Sequence, residues 1–168
     1  FLDVSMWAAA LQLMYPFSSE TLSSGARTPR VGNKAYSGSP AADTFQCADG
    51  WIALGASTQT HIEKLLAVLD IAPDLVAPLM EAPGPGRTSF ARARDPQKFK
   101  DLLAQHIRGR SAEQLDVLLN AQGVPAARVR RLDEFAQEAV ESGLLAPSIL
   151  GSGDSQAKTP GLGWRVVR

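Results

Sequence analysis

Two histidines, one cysteine and a scatter of carboxylates are the side chains in this sequence that could move a proton or attack a carbon. A serine nucleophile would need His61 or His106 as its base, but His61 falls in the first turn of one helical stretch and His106 in the last turn of another. An exposed or dipole-stabilised imidazole accounts for both without chemistry. Cys47 has no second cysteine and no CxxC spacing, and two histidines cannot complete a zinc site, so no metal centre is expected. Asp3, Asp43, Asp49 and Glu63 are the acids best placed near the central loop and hairpin, and a cap or turn role explains each of them. The glycines of RVGNKAYSG neither follow a strand nor open a helix, which excludes a phosphate loop and a dinucleotide fingerprint. Arginines gather in RTSFARAR and RVRRL, either as solvated faces or as a surface for an anionic ligand or another subunit. No complete catalytic constellation is present.

The elements that would have to position such residues belong to a modest core. The chain has 168 residues, 45% of them hydrophobic, enough for one ordinary domain or a small domain with segments that belong to a neighbour. Its 17 basic residues balance 17 acidic ones, so nothing in the charge recruits nucleic acid or an anionic membrane surface. No apolar run reaches the roughly 18 residues of a membrane span, and no basic region precedes a cleavage site. With a single cysteine, a reducing, cytoplasmic setting fits best.

Residues 3–15 read as a helix that is apolar around most of its circumference, which predicts burial on nearly all sides by a missing domain or another subunit, or else a central place in a compact fold. The chain begins inside this motif, so sequence upstream of Phe1 is expected. Residues 16–40 lose periodicity and fill with Ser, Gly, Arg and Pro, which predicts a long connection. In DTFQCADGWIALGA, Asp49-Gly50 between β-prone runs predicts a type I′ hairpin with strands at 44–47 and 51–55. A capping box at Thr60 and Glu63 opens an amphipathic helix with Ile62, Leu65, Leu66 and Leu69. A short helical piece follows Pro73. Asp95-Pro96 starts a helix carrying Phe99, Leu102, Leu103 and Ile107, and Ser111 caps another that ends at Gly123. GVPAARVRRL returns as a strand, Asp133 begins a last short helix, and the segment after Gly143 shows little internal order. The fold class is therefore α+β: a small, mainly antiparallel sheet packed with several helices.

The order of these motifs is more specific than any one of them. DVSMWAAALQL, a glycine-containing loop with RVGN, F-x-C-x-DGWIALGA, an amphipathic helix and L-x-x-x-GVPAARVRRLDEF together resemble the class III CoA-transferase family. That group includes formyl-CoA transferase, carnitine CoA-transferase and alpha-methylacyl-CoA racemase. The resemblance covers nearly the whole chain. It implies that residues 1–40 are the exit helix and linker of a Rossmann-like large domain absent from the sequence, 41–142 a small α+β domain, and 143–168 a return linker. It also implies an interlocked homodimer, acyl-CoA and carboxylic acids as substrates, and no tightly bound cofactor.

The family's nucleophile is an aspartate that attacks the acyl-CoA thioester and passes through mixed-anhydride and aspartyl-CoA intermediates. By the resemblance that aspartate lies upstream of Phe1, so no catalytic residue falls in this chain and Asp3 is not the nucleophile. What the chain can contribute is an active-site lid, carried over onto Gly32, Asn33, Tyr36, Gly38 and Ser39. A loop of this kind excludes water from a reactive anhydride. An ordinary linker is the other reading of the same residues, and both stay open. At the racemase branch's acid/base glutamate this sequence has Thr58, whose hydroxyl cannot serve as a base near neutral pH. The leading expectation is thus a transferase fragment inactive alone. A free-standing, non-enzymatic interaction module and a racemase-like enzyme are the alternatives.

Overall fold

The hairpin in TFQCADGWIAL organises the sheet. In a computed structural model, which describes residues 3–27, 30, 35, 37–82, 90–152 and 155–160, strand β1 (Thr44–Gln46) pairs antiparallel with β2 (Trp51–Leu54). Phe45 stands opposite Ile52, and both are buried, because the period of two sends alternate side chains to the core face. The turn differs from the expected one. The Cys47 amide donates to the Gly50 carbonyl at 2.8 Å, so Ala48 and Asp49 form its centre, and neither has a positive φ. A third strand, β3 (Ala126–Arg128), pairs antiparallel with the other edge of β2, giving the order β1-β2-β3.

Three helices close the core over this sheet. Helix α3 (Gln59–Val68) buries Ile62, Leu65 and Leu66. Its cap is Thr58 and not Thr60: the extended backbone of Thr58 turns its hydroxyl to accept from the His61 amide at 3.2 Å. A short helix α4 (Pro73–Val76) runs into a 3-10 turn at Ala77–Leu79. Helix α5 (Pro96–Ile107) is capped by Asp95, which accepts from the Lys98 amide at 3.1 Å, and buries Phe99, Leu103 and Ile107 at the expected spacing. Helix α6 (Ala112–Ala121) buries Ala112, Leu115 and Leu119. Gly123 follows its cap at φ 72°, where its amide donates to Asn120 and the Val124 amide donates to Leu119; these paired bonds terminate the helix as the sequence predicted.

Helix α1 (Met6–Leu13) forms, and none of its residues is buried within this chain: Met6 and Trp7 are 87% and 84% exposed, which rules out the central place in a compact fold. The region expected to be a connection begins with a second helix, α2 (Tyr15–Ser24), ended by Gly25 at φ 70°. Pro16 sits in its first turn, where a missing N–H costs no helical bond, and Ser18 and Ser24 donate their hydroxyls to carbonyls of the preceding turn.

Contacts divide the chain into two units, Phe1–Arg128 and Val129–Arg168. In the second, helix α7 (Leu132–Glu141) starts where the Glu134 carboxylate accepts from the Arg131 amide at 3.0 Å. The described residues after Gly143 do carry order: β4 (Ser148–Leu150) and β5 (Ala157–Thr159) pair as an antiparallel ribbon. Its strand residues are largely exposed, so backbone pairing rather than a hydrophobic pattern defines it, and alternation gave no signal for it. Among the described residues no helix is long and apolar enough to cross a membrane.

Candidate functional site

Of the residues carried over as a lid, Gly38 and Ser39 are described, and Gly32, Asn33 and Tyr36 lie outside the described residues. Gly38 has φ 66°, the left-handed conformation that favours glycine, and its amide donates to the Ala35 carbonyl at 3.0 Å. Ser39 is 6% exposed, and its hydroxyl donates to the Ala56 carbonyl at 2.7 Å. On the other side of the glycine, the Ser37 hydroxyl donates to the Ser57 hydroxyl at 3.3 Å. The end of the loop is thereby fastened to the two residues that precede Thr58, which brings the glycine-containing loop to the end of the DG-strand motif.

The stretch they meet is itself fixed from three sides. The Gly55 amide donates to the Pro125 carbonyl at 2.8 Å, and a Cβ on Gly55 would come within 3.1 Å of the Pro125 Cβ. The glycine of the DG-strand motif is therefore packed against the proline of the GVP motif. The Ala91 amide donates to the Ser57 carbonyl at 2.9 Å, Thr58 forms an antiparallel bridge with Phe90, and Thr58 then caps α3. A threonine hydroxyl occupied in this way orders a helix end; it offers no carboxylate for proton abstraction.

The other reactive groups have structural partners or unsuitable surroundings. Burial pushes the Cys47 thiol up from its ordinary value, and the nearby Asp49 charge pushes it further, so little thiolate forms near neutral pH. Asp49 reaches from the hairpin turn to the start of α6, accepting from the Ala112 amide and the Ser111 hydroxyl, each at 2.7 Å. Those two bonds hold its carboxyl below the usual range, the Ala112 bond foremost. His106 Nδ1 bonds the Leu102 carbonyl at 3.0 Å in the last turns of α5. His61 Nδ1 is buried with no hydrogen-bond partner among the described residues. A groove of about 570 Å³ lies along α3 and α4 over an apolar floor that includes Leu66, Ile71, Val76 and Met80, and neither Gly38 nor Ser39 lines it.

The missed contributors are Ser37, Ala56 and Ser57. Their loop positions carried no periodic signal, and the bond from Ser39 to Ala56 spans 17 residues.

An antiparallel three-stranded sheet closed by three helices, with a loop end fastened beside the second strand, defines a mixed α+β domain. The family model of CoA-transferase family III matches residues 1–165, and the chain belongs to that family. A curated relative, the succinyl-CoA–D-citramalate CoA-transferase of Chloroflexus aurantiacus, is 27% identical over 137 residues, covering 81% of this chain and 32% of its own length. Among solved structures, Rv3272 of Mycobacterium tuberculosis superposes with TM-score 0.64 at 20% identity, covering 99% of this chain and 41% of that one. A CAIB/BAIF family protein from Brucella suis gives TM-score 0.56 at 22% identity, covering 80% and 34%. The chain thus spans about a third of the curated relative, and the structural likeness bears on the fold.

Proposed function

We propose that this chain is the small-domain part of a class III CoA-transferase, which moves CoA between carboxylic acids through an aspartyl intermediate. The observation that carries the proposal is the family match along residues 1–165 in a chain that covers 32% of its curated relative. The nucleophilic aspartate then belongs to a Rossmann-like large domain upstream of the DVSM helix, and acyl-CoA and a free carboxylic acid are the substrates. Attack by a carboxylate suits the exchange because the anhydride keeps the acyl group activated. The relative's name adds a CoA donor class, succinyl-CoA, to be tried first. Residues 30–40, including Gly32, Asn33, Tyr36, Gly38 and Ser39, are the segment that covers the reacting centre and excludes water. The full-length protein is a homodimer of the cytoplasm, for which the uncovered α1 and the single cysteine are the supporting features.

The capping role of Thr58 favours transfer over racemisation, since the racemase reading needs a carboxylate there. The full-length protein, incubated with succinyl-CoA and a panel of carboxylates, is expected to form new acyl-CoA, and hydroxylamine should trap an aspartyl hydroxamate. Alpha-proton exchange into deuterated water with a branched acyl-CoA, without CoA transfer, would overturn the proposal.

A further inference from the structure

Ser39 is the buried polar residue of the described chain, and its hydroxyl is satisfied by a carbonyl distant in sequence. A hydroxyl removed from water costs free energy unless bonded, so apolar packing alone would favour alanine at this position. Two fastenings flank Gly38. The inner one is short and buried: Ser39 to Ala56 at 2.7 Å, with the Ala41 amide donating to the same hydroxyl at 3.4 Å and the Ala42 amide to the Ser39 carbonyl at 3.2 Å. The outer one is longer and part-buried: Ser37 to Ser57 at 3.3 Å. Water can replace a part-buried hydroxyl pair far more readily than it can reach a buried one.

We infer that Ser39 is a positioning residue: its hydroxyl sets where the chain at Gly38 stands against residues 56–58, while the Ser37–Ser57 pair is the releasable contact of the two. Its consequence for catalysis rests on the transferase reading. Misplacing this loop end admits water to the mixed anhydride. Water adds to the acyl carbonyl, the bond to the bridging oxygen breaks, and the acyl group leaves as a free acid while the aspartate is regenerated. The sum is one acyl-CoA and one water giving one carboxylic acid and one CoA thiol.

In the full-length protein, Ser39→Ala should raise the ratio of thioester hydrolysis to CoA transfer several-fold. Ser39→Thr, which keeps the hydroxyl, should restore the ratio, and Ser57→Ala, which leaves the inner bond intact, should move it less. If Ser39→Ala lowers both rates together with the ratio unchanged, the catalytic consequence is wrong. Hydrogen exchange on the 168-residue chain tests the fastening separately. Ser39→Ala should speed exchange at Ala41 and Ala42 about tenfold, the equivalent of one lost hydrogen bond, without changing Ile52. Unmoved exchange at Ala41 and Ala42 overturns the inference whatever the enzyme does. Absence of any transfer in the unsubstituted protein sinks the transferase reading and leaves the exchange result to decide the fastening.

Discussion

Helices α1 and α5 differ in a way that apolar content alone does not anticipate. MWAAALQL is the more apolar of the two, yet it buries nothing, whereas PQKFKDLLAQHI, with two lysines and an aspartate, buries Phe99, Leu103 and Ile107. The three apolar positions of α5 fall on one stripe that faces the sheet and the neighbouring helices, so its charges stay in water while its stripe leaves it. Helix α1 carries apolar groups all round and, among the described residues, packs chiefly beside α2. Composition says how much surface wants cover; spacing and a partner decide whether it gets any.

The comparison breaks most visibly if the two helices are truncated in turn. Leu103→Ala should cost about 2–5 kcal/mol of unfolding free energy in urea, because it removes a fully buried side chain and leaves a cavity. Should the loss instead be negligible, the contrast between stripe and belt would be empty. Gly123→Ala comes next: a Cβ at φ 72° should cost about 1–2 kcal/mol, read by the same titration, and would show that the end of α6 depends on backbone conformation as well as on packing.

A pH effect follows from the two capping carboxylates of the core. The Ala112 amide lowers Asp49 first, with the Ser111 hydroxyl next, and the Lys98 amide does the same for Asp95. A folded-state value below the unfolded one, about 3.9 for aspartate, means the stabilisation is in place above that pH and fades as pH falls through the lowered folded value. Thermal midpoints measured downward from neutral pH should therefore drop in this acid window, and an Asp49→Asn/Asp95→Asn double variant should show a shallower drop. The smallest effect is expected at the other end of the comparison. Trp7→Ala should change the unfolding free energy of this chain by no more than about 0.5 kcal/mol, since the indole is 84% exposed.

Most of the core was legible in the sequence, because period-two and helical spacing report directly on which face is buried. The hairpin strands, the three core helices, the Asp95 and Ser111 caps and the Gly123 stop all rest on such local patterns. Local ambiguity defeated the reading elsewhere. Thr58 and Thr60 both offer a hydroxyl at the start of α3, and only the extended backbone at Thr58 decides between them. Lost periodicity and a composition of Ser, Gly, Arg and Pro from residue 16 onward read as a connection, although proline is tolerated in a first turn, and this hid α2. Long-range bonds were out of reach altogether. Nothing in CADG foretells that Asp49 will hold Ser111, just as nothing in SGSP foretells that Ser39 will be buried on Ala56. Of the candidate site, the types and positions of Gly38 and Ser39 could be carried over by resemblance; their fastening to residues 56–57 could not.

The order β1-β2-β3 also sets an order of assembly. Strand β2 can pair with β1 across a tight turn, but its other edge must wait for residues 126–128, which arrive after four intervening helices. Until then Ile52 and Leu54 sit on a strand with unsatisfied amides and carbonyls along one side. Such an edge is a template for another chain. A nascent chain that stalls before Val124 keeps that edge open, and the arrival of β3 moves it from the strand carrying Ile52 and Leu54 to a strand of three residues.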